Sequence, residues 1–274
     1  MREISVNKKK WCKLQKNIVF FLLLSVNTSL LANQFVLDLA YQVESGDYGG
    51  DSDTDVTIVP VLLKYYTDVW SFGAEISYVS VTGSATVIPG SNGQLFGQGS
   101  GSGSAATTTS KSVTRSGMGD SKLSLSRAFF PEQKDGVFYE LTATVILATA
   151  DEDKLLGKGE NDYTIKLKTS SKLGLWSPAL TVGYQLTGGT ADTDFNNTLF
   201  FSVGSGYKLN KNSSLGVGYD FQQAVIDGVD DYAALTFNYS TQLNNDVELT
   251  LAMKMGLTDN SLDRGYSISA SIPF

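Results

Sequence analysis

Ten charged residues share one parity of an alternating pattern, and their combined chemistry is that of a lined passage. Asp38, Glu75, Glu140, Asp220 and Glu248 supply carboxylates; Lys64, Lys122, Lys166, Lys168 and Lys254 supply ammonium groups. Each lies in a stretch where apolar residues take every second place, and side chains two apart on a strand point to one face. All ten therefore project away from the apolar side. Cations fall largely on strands that run one way and anions on those that run the other. Neighbours such as Glu140 and Lys166 are thus expected to pair across strands. Charges of both signs around an enclosed space set the selectivity of an aqueous path; fully paired, they form a salt-bridged plug. Glycines at the same parity leave room and favour the passage.

Other chemistry is scarce. The chain has no histidine, which excludes Ser–His–Asp and Cys–His mechanisms and histidine-ligated metals. No catalytic, cofactor-binding or metal residues are assigned, and the protein is read as a non-enzyme. Gly157-Lys158-Gly159 lacks the spacing of a phosphate loop and reads as a turn. Residues 1–32 hold six of the 21 basic residues and one of the 28 acidic, so the remainder carries 15 against 27, a net charge of −12. Such a chain has no basic patch for nucleic acid. Its acids gather in connections, at Asp47, Asp51, Asp53, Asp151 to Asp153, Asp192, Asp194, Asp227, Asp230 and Asp231. Solvation accounts for them, and cation bridging to lipopolysaccharide is the sharper alternative.

The elements that would position the ten charges are strands of about ten residues, the length of a tilted membrane-spanning strand. Phe35, Leu37, Leu39, Tyr41 and Val43 alternate with Asp38, Ala40, Gln42 and Glu44. Tyr139, Leu141, Ala143, Val145 and Leu147 alternate with Glu140, Thr142 and Thr144. Val247, Leu249, Leu251, Met253 and Met255 alternate with Glu248, Thr250 and Lys254. Twelve such segments can be counted. Their connections alternate between tight (Thr67-Asp68, 131–136, 174–177, 210–212, 244–245) and long (46–54, 83–119, 151–162, 188–197). The predicted fold is an all-β, up-and-down antiparallel transmembrane barrel of about 12 strands, with short periplasmic turns and long extracellular loops.

Aromatic residues gather near strand ends and predict two interfacial girdles. Tyr65, Trp70, Phe72, Phe129, Tyr139, Trp176, Tyr207, Tyr239 and Phe274 mark one level; Tyr78, Tyr163, Tyr184, Phe221, Tyr232 and Tyr266 mark the other. Arg127 has lipid-facing parity close to the periplasmic level, and Pro60 inside a strand predicts a bulge or bend. Within 83–119, residues 97–110 form a Gly/Ser/Thr low-complexity stretch.

The chain ends carry export and assembly features. Lys8 to Lys16 and the apolar Ile18–Val26 stretch read as a secretory signal peptide over 1–32, which also removes Cys12 and leaves 33–274 as the barrel. The closing strand, with Tyr266, Ile268, Ile272 and Phe274 on one face, resembles the assembly signal of bacterial outer-membrane barrels. It implies outer-membrane lipid and the barrel-assembly machinery as partners.

A second resemblance covers 116–187. Ser116-Gly-Met-Gly-Asp120, Ala148-Thr-Ala-Asp-Glu-Asp153 and Leu156-Gly-Lys-Gly-Glu-Asn-Asp-Tyr163 look like the outer-membrane transporter family grouped as phenol-degradation meta-pathway proteins. Ala150 and Lys158 depart from its commoner residues. The resemblance implies passage of small, often aromatic or apolar, compounds. Two functions are carried forward: an outer-membrane channel for small solutes, and a structural or adhesive surface barrel that acts through acidic loops over a plugged lumen.

Overall fold

The computed structural model describes residues 34–48, 52–83, 87–89, 95–97, 112–131, 136–189, 195–243 and 246–274, with backbone alone for 87–89 and 95–97. The signal peptide, most of the low-complexity stretch, and Asp51, Asp192 and Asp194 lie outside the described residues.

In chain order the strands are β1 (Gln34–Gly46), β2 (Thr54–Tyr66), β3 (Trp70–Gly83), β4 (Val87–Pro89), β5 (Leu95–Gly97), β6 (Val113–Met118), β7 (Ser121–Phe129) and β8 (Phe138–Leu147). There follow β9 (Asp162–Ser170), β10 (Trp176–Leu186), β11 (Thr198–Lys208), β12 (Ser213–Gln222), β13 (Tyr232–Leu243), β14 (Val247–Gly256) and β15 (Arg264–Pro273). β4 and β5 pair only with each other. The rest form a closed antiparallel barrel of 12 strands, in which β6 and β7 together occupy one strand position beside β3. The ring shuts between first and last strands, from Val36 opposite Pro273 to Ser45 opposite Arg264. Closure leaves no free edge, which a sheet in hydrocarbon cannot tolerate.

Alternation sorts the two faces as the sequence predicts. Leu39, Ile76, Leu123, Ile165, Leu215 and Ile268 are exposed on the outside, while Asp38, Thr142, Thr236, Ser240 and Thr250 are buried within. An exterior of exposed Leu, Ile and Phe would be an extended apolar patch in water; against lipid it is matched. Among the described residues no helix is long and apolar enough to cross a membrane, so strands make the crossing.

Aromatic contacts mark both levels. At the short-turn end Phe35 stacks between Tyr65 (4.8 Å) and Phe274 (5.9 Å), and Trp176 meets Tyr207 at 4.8 Å; toward the long-loop end Phe201 lies 5.1 Å from Phe221. Tyr232 corrects the expectation. It is buried in the barrel mouth rather than displayed on the outer girdle.

Two local expectations also change. Pro60 makes no bulge: Leu39–Val61 and Gln42–Ile58 keep one register on either side, and only the β1 pairing between them is interrupted. The bulge lies instead at Gly119-Asp120. Glu75 faces Lys122 and Tyr78 faces Met118, so three residues of the β6–β7 strand oppose Ile76 and Ser77, one more than a regular ladder allows. Val113–Met118, expected as part of a long loop, thereby extends the wall.

Arg127 stands exposed on the outer face with its guanidinium 5.3 Å over Trp70 and 5.1 Å from Phe129. Two exposed cation–π contacts are worth roughly 0.5–1 kcal/mol each, while a lipid-facing cation near an interface costs about 0–1 kcal/mol. The contacts offset that cost. Arg127→Leu should lower unfolding free energy in lipid vesicles by no more than about 2 kcal/mol, read by denaturant titration. A loss of several kcal/mol would contradict this placement.

Candidate functional site in the barrel interior

The interior holds a cavity of about 470 Å³ whose wall is lopsided. One side, β1 through β9, carries most of the charge; the other, β10 through β15, is mostly small residues, with Asp220 and Lys254 among them. Asp38, Lys64, Glu75, Glu140, Lys166, Lys168, Asp220 and Lys254 line the cavity, joined by Glu44. Lys122 and Glu248 are not part of its wall. Lys122 instead reaches Glu75 at 2.9 Å, and Glu248 is partly buried, its Oε1 without a hydrogen-bond partner among the described residues.

Three interior ion pairs order the belt: Lys64–Asp38 at 2.7 Å, Lys122–Glu75 at 2.9 Å and Lys254–Glu44 at 3.3 Å. Register decides the next pair and corrects the sequence reading. Glu140 stands opposite Lys168, while Lys166 stands opposite Thr142. Lys166 forms no ion pair among the described residues. On its other side it faces Gly183, and it lines the cavity together with Phe200. Asp220 on the far wall accepts from Ser202 at 2.5 Å and Thr236 at 3.0 Å.

The small wall is what keeps the cavity open. Gly216 and Gly218 line it, and a Cβ at Gly218 would meet nothing nearer than the Val203 carbonyl oxygen, 3.8 Å away. Phe200 is the exception. Its ring lies over Gly183 and narrows that side. Sequence reading gave it no role, although its inward parity was visible between Leu199 and Phe201.

At the long-loop end, connections fold over the lumen. The 148–161 connection is tied to the bulge, where the Asp120 carboxylate accepts from the Thr149 N–H (3.1 Å) and the Ala150 N–H (3.0 Å). The extra residue turns Asp120 out of strand register toward these donors. Further along, Leu156 is buried on the inward-facing Val56, Val79 and Val81. Lys158 pairs with buried Asp162, which also accepts from Gln185 (3.2 Å) and the Gly188 N–H (2.9 Å). Gln222 continues the chain to Gln185 (3.4 Å) and Thr198 (3.0 Å). Outside it, the hydrogen bond from Lys154 holds exposed Asp151 below the ordinary carboxylate pKa.

Two more connections contribute. Leu262, between β14 and β15, is buried on Tyr232 and Ala234. Tyr48, between β1 and β2, packs against both apolar clusters from a left-handed backbone (φ 50°). Its hydroxyl has no hydrogen-bond partner among the described residues, and burial pushes its pKa well above the ordinary tyrosine value. The sequence reading gave no inward role to Tyr48 or Leu262 and placed Leu156 only in a loop motif. The available signal was a large apolar residue within each otherwise polar connection, beside Leu155 in one and after Leu257 in another.

These features define the class: a transmembrane β-barrel of the outer-membrane type, with a charge-lined interior narrowed at one end by its own loops. No family model and no curated protein matches the sequence. Solved structures do. The chain is similar to an outer-membrane channel of Pseudomonas putida F1, at 15% identity over 90% of this chain and 97% of that one, with a TM-score of 0.66. It also resembles the NanC porin (9% identity, 86% and 98% covered, TM-score 0.55) and the KdgM porin in complex with oligogalacturonate (9% identity, 87% and 99% covered, TM-score 0.51). At these identities the likeness is one of fold.

Proposed function

We propose that the protein is a channel of the bacterial outer membrane that passes small solutes through its charge-lined lumen. The observation that carries this reading is the cavity itself, open space of about 470 Å³ bordered by Lys166 and by wall glycines. Its size suits a small organic molecule. The fold shared with an outer-membrane channel and two porins supports the same reading. The motif resemblance over 116–187 favours an aromatic or apolar solute. The outer face with exposed Tyr266, Ile268 and Phe274 and half-buried Ile272 is the proposed signal to the assembly machinery, and lipid and lipopolysaccharide are the proposed surroundings.

The three interior ion pairs favour a second reading, a plugged structural or adhesive barrel. Electrical recording from planar bilayers separates the two. The wild type should give discrete current steps, and Gly218→Trp, at a position where a Cβ has room and the ring enters the cavity, should cut them at least about fivefold, a barrier increase near 1 kcal/mol. Retained heat-modifiable mobility on gels would show that the variant still folds. An absence of steps in wild type and in every lumen variant would sink the channel.

A further inference from the structure

Toward the loop end the charged wall gains two apolar clusters. Val56, Val79, Val81, Leu156, Tyr232, Ala234 and Leu262 are all buried, Val81 and Ala234 completely. They begin at the rim of the charged cavity, where Val56 stands opposite Glu44 and Ala234 opposite Asp220. The valines, Tyr232 and Ala234 belong to the wall, while Leu156 and Leu262 come from connections. Tyr48 touches both groups and so spans the gap between them. A buried hydroxyl without a partner is destabilising, and a non-glycine residue in left-handed backbone adds to that. The ring is held inward despite both costs.

We propose that Tyr48, Leu156 and Leu262 are the gate of the channel, an apolar septum that bars hydrated ions until the loops part. This rests on the channel reading of the same lumen. Apolar constrictions stop ions by excluding water rather than by blocking with charge. The fixed parts are the wall valines and the Asp120 tether at the root of one loop. The movable parts are three side chains on connections, each held chiefly by apolar contact. Asp120 and the Lys158–Asp162 pair set where the 148–161 connection hinges, so Leu156 can withdraw while both ends stay anchored. The septum, not the charge belt, then decides whether any ion enters; the belt decides which.

Hydrating the septum tests this. Leu156→Ser with Leu262→Ser should raise the current in potassium chloride at least tenfold over wild type. Tyr48→Gly, which removes the ring and suits the left-handed backbone, should do the same. Tyr48→Phe keeps the ring and deletes the unpartnered hydroxyl, and its current should not exceed that of wild type. Gel mobility before and after heating confirms that each variant is folded. A wild type that conducts as freely as the serine variant overturns the gate and leaves the channel standing. A silent serine variant and a silent Tyr48→Gly, both folded, remove the channel itself. An open Tyr48→Phe would overturn the role assigned to the ring.

Discussion

Replacing Lys166 and Lys168 together with glutamate should swing the permeability ratio of potassium to chloride toward potassium by at least about tenfold. Both lysines lie on β9, face the cavity and stand two residues apart. Five carboxylates line the cavity (Asp38, Glu44, Glu75, Glu140, Asp220) against four lysines (Lys64, Lys166, Lys168, Lys254), a near balance. The double reversal leaves seven carboxylates against two lysines. A unit charge about 10 Å from a passing ion acts on it with roughly 0.4 kcal/mol in a medium as polarisable as water, and four times that at an effective dielectric of 20. A four-unit change is therefore worth at least about 1.6 kcal/mol, and 1.4 kcal/mol is already tenfold. Reversal potentials under a salt gradient measure the ratio, in the background of the serine septum so that current is ample. An unchanged ratio would mean that ions do not pass beside β9. Lys168 stands opposite Glu140, so its reversal sets two carboxylates face to face; Lys166→Glu alone is the cleaner arm and should give about half the effect in kcal/mol.

The fold was largely legible in the sequence because a barrel wall obeys a single rule. Phe35, Leu37, Leu39 and Tyr41 alternate with Asp38 and Ala40, and the structure turns the first set outward and the second inward. The same parity placed Lys64, Lys166 and Lys254 inside. What it could not give was register. Glu140 meets Lys168 rather than Lys166 because a shift of two residues along a ladder leaves facing unchanged while it changes the partner. Nor could periodicity survive the bulge. At Gly119-Asp120 one extra residue resets the alternation, so Gly117 faces in where β7 alone would send it out, and Val113–Met118 read as loop.

The gate was hidden for a different reason. Tyr48, Leu156 and Leu262 lie in connections whose composition is dominated by Gly and Asp, and composition argues for solvent. Their burial depends on long-range packing against Val56, Val79 and Ala234, which no local pattern encodes. The motif segments at 116–120, 148–153 and 156–163 show the same thing from the other side. Their glycines and aspartates look like a binding signature, yet Asp120 and Asp162 are spent on fixing one loop across the mouth. Gly157 lies close against Asp120, where a side chain would crowd the carboxylate. The conspicuous residues hold the scaffold, and the inconspicuous leucines face the path.

The orientation of the wall can be tested by one residue type at two adjacent positions. Ile268 and Ser269 sit midway along β15; Ile268 is exposed on the outer face between Tyr41 and Leu251, and Ser269 lines the cavity opposite Ala40 and Thr250. An arginine at Ile268 has its head in hydrocarbon near mid-height, a cost of about 2–4 kcal/mol in a barrel of this kind. The same arginine at Ser269 enters a space already walled by Asp38 and Asp220, where a cation is hydrated and attracted. It should cost less than about 1 kcal/mol, a value typical of tolerated surface changes, while it narrows the lumen and lowers current. Both variants keep the β1–β15 ladder, so backbone pairing is common to the two and cancels. Denaturant titration in lipid vesicles, followed by tryptophan emission from Trp70 and Trp176, gives both costs on one scale. Equal costs, or a greater one at Ser269, would mean that the apolar face does not lie against lipid. A water-filled interior, a channel and a septum would then all lose their foundation, because each requires that the polar face be the enclosed one.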